Sequence, residues 1–110
     1  MMVALRQLTV EAQTHQARLA VGPVLRTDGA ALKFDLLNRV SPPAAGLLTV
    51  LPRATEEDGG RAVEVACLSA AGAVTYSVSG GALVNGAATF APAAAVGLRR
   101  FRWDGAGWWV

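Results

Sequence analysis

The sequence predicts a single, mainly β domain, built as an antiparallel sandwich or small barrel. Turn signals recur along the chain at Gly22-Pro23, Asp28-Gly29, Ser41-Pro42-Pro43, Asp58-Gly59-Gly60, Gly72, Gly80-Gly81, Asn85-Gly86 and Asp104-Gly105. Short apolar runs of strand length separate them. The chain has 110 residues, 53% hydrophobic and 16% charged, which suits one domain with its own core and disfavours disorder.

Residues 1–20 form the segment that departs from this pattern. Leu5, Leu8, Ala12, His15 and Leu19 fall at spacings of three and four, an a/d-type stripe that Gly22-Pro23 would end. Leu8, Val10 and Ala12 also alternate with Thr9 and Glu11, as in a strand. The helix reading is preferred, so residues 1–20 are expected to form a short helix or anchor segment and residues 21–110 the β domain. The strand runs are Ala31–Leu37, Leu47–Leu51, Ala62–Leu68, Val74–Val78, Ala82–Val84, Ala87–Phe90, Leu98–Trp103 and Trp108–Val110. Asn85-Gly86 is the strongest hairpin signal, because both central positions of a type I′ turn need positive φ.

Alternation assigns faces within two of these runs. Val63, Val65 and Cys67 share the expected core face of Ala62–Leu68. In Leu98–Trp103, Arg99, Phe101 and Trp103 share one face and Leu98, Arg100 and Arg102 the other. The loop Asp104-Gly105-Ala106-Gly107 then places Trp103 opposite Trp108, a stabilising aromatic cross-strand pair. Adjacent Trp108 and Trp109 must point to opposite faces. One of them is therefore exposed, or is covered by the N-terminal segment, another subunit or a ligand. A chain ending on Trp-Trp-Val is expected to be anchored there.

Composition excludes several kinds of chemistry. Ala contributes 22 residues and Gly 12, while Phe, Trp and Tyr together number 7, so a modest set of Leu, Val and Trp must supply the core or share it with a partner subunit. Net charge is +2, and nine of the ten basic residues are Arg. No large basic excess points to nucleic acid. The single Cys excludes an internal disulfide and a multi-Cys zinc site, and the single His excludes a His-rich metal site. The apolar run Val3-Ala4-Leu5 stops at Arg6, too soon for a secretory signal, and no stretch is long enough for a membrane helix. A chain folded in a reducing compartment is expected, without a membrane or nucleic-acid partner.

No catalytic, cofactor-binding or metal-ligating set can be assembled, and no enzyme is expected. His15 with Glu11 four residues earlier could form a base and its orienting carboxylate, but an ordinary polar face explains them. Cys67 among alternating apolar residues reads as a buried, inert thiol. Glu56-Glu57-Asp58 lacks a calcium-loop spacing and reads as a solvated loop. The glycine pairs form no phosphate-binding motif. Asp35 and Glu64 are expected at strand edges; an enzyme would require one of them deep in a polar cleft. The best candidate contact surface gathers Arg99, Arg100 and Arg102 with Trp103, Trp108 and Trp109, residue types that serve protein interfaces and stack on sugars.

The stretch Val74-Thr-Tyr-Ser-Val-Ser-Gly-Gly-Ala-Leu-Val-Asn-Gly, followed by Phe101-Arg-Trp-Asp-Gly-Ala-Gly-Trp-Trp, resembles the ends of small β-structured fibre, spike and head-decoration proteins of bacteriophages. The resemblance covers about residues 62–110. It implies a non-enzymatic component of a phage or phage-like particle, assembled in the bacterial cytoplasm and without a cofactor. It implies a homo-oligomer, a trimer for preference, in contact with other virion proteins. Phe101, Trp103, Trp108 and Trp109 would lock the C-terminal hairpin into its own core or a neighbouring subunit. The alternative is a carbohydrate-binding, host-recognition module that meets a cell-surface glycan through exposed Trp and Arg.

Overall fold

The computed structural model describes residues 19–110. The helix or anchor expected over residues 1–20 therefore lies outside the described residues, apart from Leu19 and Ala20. Nine strands follow: β1 (Ala20–Leu25), β2 (Ala30–Ala31), β3 (Leu36–Val40), β4 (Leu47–Val50), β5 (Ala62–Cys67), β6 (Val74–Ser77), β7 (Thr89–Phe90), β8 (Gly97–Trp103) and β9 (Trp108–Trp109). They form a five-stranded sheet ordered β1-β3-β5-β8-β9 and a four-stranded sheet ordered β2-β4-β6-β7. The mainly β, single-domain, two-sheet architecture is the expected one.

The pairing differs from the expected antiparallel arrangement. From β1 to β6 the chain steps from one sheet to the other at every connection, so each strand lies parallel to the strand two places later. Parallel neighbours need a long crossover, and here a strand in the opposite sheet supplies it. The result is three stacked coils. Antiparallel strands then close the far side: β7 on β6, β8 on β5 and β9 on β8. Turn residues mark a corner between sheets as readily as a hairpin, which is why the punctuation suggested antiparallel neighbours.

The run Ala31–Leu37 shows this directly. It is broken by a turn at Phe34-Asp35, where Asp35 adopts φ 58° and sends the chain across to β3. Gly22-Pro23, expected as a turn, lies inside β1 at a register irregularity between Val21 and Val24. Pro23 is tolerated there because β1 is an edge strand of its sheet. Ala82–Val84 contributes only an isolated bridge at Val84. The Asn85-Gly86 turn forms as expected, with φ of 50° and 80° between mutual backbone hydrogen bonds of Val84 and Ala87.

The core lies between the sheets. Val63 and Val65 of β5 and Phe101 and Trp103 of β8 face inward, as their alternation predicts, with Cys67 packed at the margin. They meet Leu47, Val74 and Tyr76 from the other sheet. Tyr76 and Phe101 pack with ring centroids 4.5 Å apart, and Trp103 and Trp108 with centroids 5.2 Å apart. The buried indole of Trp103 donates from Nε1 to the Thr55 carbonyl at 2.7 Å, so its polar edge is satisfied. At one corner the backbone of Gly72 passes so close to the loop above β4 that a Cβ would sit 2.0 Å from the Pro43 carbonyl oxygen. No other residue fits there.

One polar side chain is embedded among these residues. Asn38 on β3 is 1% exposed. Its Oδ1 accepts from the Lys33 amide at 2.9 Å, and its Nδ2 donates to the carbonyls of Lys33, Leu36 and Glu64 at 3.0, 3.1 and 2.9 Å. The side chain thus holds the β2–β3 corner and ties it to β5. Replacing Asn38 by Leu keeps the volume but removes all four of these hydrogen bonds, two of them to the Lys33 backbone at the corner. At about 1–3 kcal/mol for each buried unsatisfied group, Asn38→Leu is expected to lose at least about 3 kcal/mol in urea unfolding. A loss below about 1 kcal/mol would show that the corner does not depend on Asn38.

Candidate contact surface

The six residues singled out on β8 and β9 separate across the sheet. Trp103 and Trp108 are 3% and 1% exposed and belong to the core, which is the own-core alternative for the hairpin and removes them from the exposed contact surface. Arg99 also faces inward, with its guanidinium carbon 5.4 Å from the centre of the Phe90 ring. Arg100, Arg102 and Trp109 remain on the outer face. Strict alternation on a regular strand causes this division.

Register defines what surrounds those three. Leu37, Glu64 and Arg100 align across β3, β5 and β8, and Arg39, Ala66 and Leu98 form the next row. Ala62, Arg102 and Trp109 form a row across β5, β8 and β9. Val21 lies beside Leu37. Arg100 donates from Nε to Glu64 Oε2 at 2.6 Å, and Arg39 donates from Nε to the Gly22 carbonyl at 2.8 Å. Such exposed pairs orient side chains more than they stabilise the fold. The outer face thus mixes fixed cations with open apolar surface: Leu98 is 73% exposed, Val21 60% and Leu68 47%.

Trp109 stands at the edge of this face, half-exposed but held. Asp104 accepts its indole N–H at Oδ2 (2.7 Å), while Oδ1 accepts the backbone N–H groups of Ala106 and Gly107 at 2.8 and 2.7 Å. These three bonds keep the Asp104 carboxyl below the usual aspartate range, the backbone donors contributing most. The strand that carries Trp109 is fixed on its free side by the Asn85 turn. Trp108 donates to the Leu83 carbonyl and Asn85 to the Trp108 carbonyl, both at 2.8 Å. Asn85 Oδ1 also accepts the Val110 amide at 3.0 Å. A depression of about 260 Å³ opens beside the indole, lined by Trp109, Leu83, Asp104, Ala106 and three glycines.

The role of Asp104 was not read from the sequence, where Asp104-Gly105 registered only as a turn. Asp followed by Gly-Ala-Gly, as at residues 104–107, is itself an Asx-turn signal. Leu83 and Arg39 carried no signal, because only the topology brings them to the sheet's end and face.

The other candidates take ordinary positions. His15 and Glu11 lie outside the described residues. Glu56–Asp58 forms a short 3-10 turn, in which Asp58 accepts from Thr55 and Arg61 and is held below the usual aspartate range by them. Arg61 bridges Asp58 and Asp35 at 2.8 and 2.6 Å and lies 4.1 Å over the Phe34 ring. The Asp35 side chain is 81% exposed, and Glu64 faces outward against Arg100, so neither lies in a polar cleft. Among the described residues no group of three or more His, Cys, Asp or Glu is placed to hold a metal ion. Cys67 donates its thiol to the Ser69 carbonyl at 3.2 Å. It lines a cavity of about 70 Å³ with Tyr76 and Arg99. Burial raises the Tyr76 hydroxyl above its usual range, against the opposing charge of Arg99. That cavity admits water but is far smaller than a metabolite site.

The Asp104 bonds predict a pH dependence. A carboxyl with a lowered folded value contributes stability at pH above its unfolded value, about 4, and loses it as pH falls through the lower folded value. Quenching of Trp109 by a soluble quencher should therefore stay constant from neutral pH down to about 4 and rise only below that. In Asp104→Asn the acid-dependent rise should vanish. An identical acid profile in the variant would mean that Asp104 does not hold the indole. In comparisons with known proteins, no protein-family model, no curated protein and no solved structure matches the chain.

Proposed function

We propose that this protein is a structural attachment component of a phage-like particle, a fibre, spike or head-decoration subunit that acts by surface contact rather than catalysis. The observation that carries this reading is the outer face of the five-stranded sheet. Val21, Leu68, Leu98 and Trp109 are each between 47% and 73% exposed there, with Arg39, Arg100 and Arg102 interleaved among them. Scattered apolar residues on a surface are ordinary, but aliphatic and aromatic groups sharing one sheet face with Arg have the character of an assembly interface. The resemblance of residues 62–110 to phage fibre and decoration proteins supplies the particle context. A trimer is the preferred state.

Light scattering during size exclusion tests this. The wild type is expected near 34 kDa, roughly three times the 11.4 kDa chain, and Leu98→Glu is expected to elute as a monomer that still melts cooperatively, at a temperature lowered by the lost association. A wild type that stays monomeric across about a tenfold range of concentration would contradict self-assembly through this face. The second reading, a carbohydrate-binding host-recognition module, is favoured by one specific observation: the exposed indole of Trp109 is fixed in place by Asp104.

A further inference from the structure

We infer that the depression between Trp109, Leu83 and Asp104 is a binding site for one neutral pyranose unit of a glycan, stacked on the Trp109 indole with a hydroxyl donated to Asp104. This rests on the carbohydrate-binding reading and gives it a location and a ligand class.

The indole face is the first element. A pyranose presents a flat patch of C–H groups, which binds an aromatic face best when that face is already oriented, because little conformational freedom is then lost. Trp109 is 51% exposed, yet its N–H edge is tied to Asp104 and its strand to the Asn85 turn. The platform is therefore built before any ligand arrives.

The second element is an acceptor with capacity to spare. An ionised carboxylate has about four lone-pair positions. Asp104 Oδ1 takes the Ala106 and Gly107 amides, and Oδ2 takes the Trp109 indole. One position on Oδ2 is left beside the indole, suited to a hydroxyl donor. An aliphatic peptide side chain or a lipid tail would leave that position unmatched, whereas a sugar offers both the apolar face and the hydroxyl. The negative charge also selects against sialic and uronic acids, since like charges in one site repel.

The third element is the wall opposite. Leu83 is 47% exposed, and Ala106 with Gly81, Gly86 and Gly107 completes the lining with little side-chain bulk. A volume of about 260 Å³ is small for a drug-sized ligand, and fits a single ring with its neighbours running out to solvent.

Saturation-transfer NMR with cellohexaose, maltohexaose and chitohexaose, each up to about 10 mM, tests the site without relying on an indole signal. The wild type is expected to give saturable transfer with at least one of the three. Trp109→Ala should abolish it, and Asp104→Ala should weaken it about tenfold, each with cooperative melting retained. Should Trp109→Ala fail to melt cooperatively, Leu83→Arg fills the depression from a half-exposed position and should abolish transfer instead. Transfer in the wild type that survives Trp109→Ala or Leu83→Arg would overturn this site while leaving sugar binding elsewhere on the protein. No saturable transfer from any of the three would overturn both the site and the carbohydrate-binding reading.

Discussion

The arrangement depends on Asn38. A chain that crosses between two sheets at every connection must turn through the interior edge of each coil, and there its backbone groups meet no neighbouring ladder. A buried backbone N–H or C=O left unpaired is costly. Asn38 supplies both a donor and an acceptor at that position, binding Lys33 in both directions and reaching forward to Glu64 on β5. One side chain thus closes the β2–β3 corner and sets β3 against β5. A hydrophobic residue could fill the same volume but could not pair those groups.

Parallel stacking of the coils then dictates where the rest of the chain can go. The last coil would leave β5 and β6 with open edges, and exposed edges invite unwanted pairing. The antiparallel strands β7 and β8 cover them, and β9 covers β8 in turn. The outer side of β9 is covered by Leu83–Asn85. At the opposite end of the five-stranded sheet, β1 carries Pro23 and a register irregularity, both of which blunt an edge. The C-terminal hairpin is therefore the closing element of the fold, and its position at the margin lets one indole enter the core while its neighbour faces out. The same geometry divides the three arginines of β8, so that Arg99 reaches Phe90 and Arg100 and Arg102 join the outer face.

Strand identity and facing were legible for β4 to β9, because they depend on local alternation, whereas β1 and most of β3 fell outside the expected runs. Val63 and Val65 face inward, Trp103 pairs with Trp108, and Asn85-Gly86 makes its two-residue turn, each as the residue pattern requires. Strand pairing was not legible. Val21 pairs with Leu37 and Leu37 with Glu64, 16 and then 27 residues apart, so the coils share no period from which a repeat could be read. Nor does Asn38 announce itself, since an Asn between Leu37 and Arg39 reads as a turn or surface residue until the corner around it is known. For the contact surface, the residue types were legible and their grouping was not. The cluster Arg99 to Trp109 is contiguous in sequence, but alternation splits it between core and surface, and the Trp109 site draws Gly81, Leu83 and Gly86 from a loop that only the closing hairpin brings near.

The order of residue contacts between β3 and β5 is the most direct test of the parallel-coil account. Cross-strand nuclear Overhauser effects in isotope-labelled protein can read it around the Asn38–Val65 pair. The account predicts contacts of Leu37 with Glu64 and of Arg39 with Ala66. Contacts of Leu37 with Ala66 and of Arg39 with Glu64 would mean that the strands run antiparallel, and the coil arrangement would be wrong.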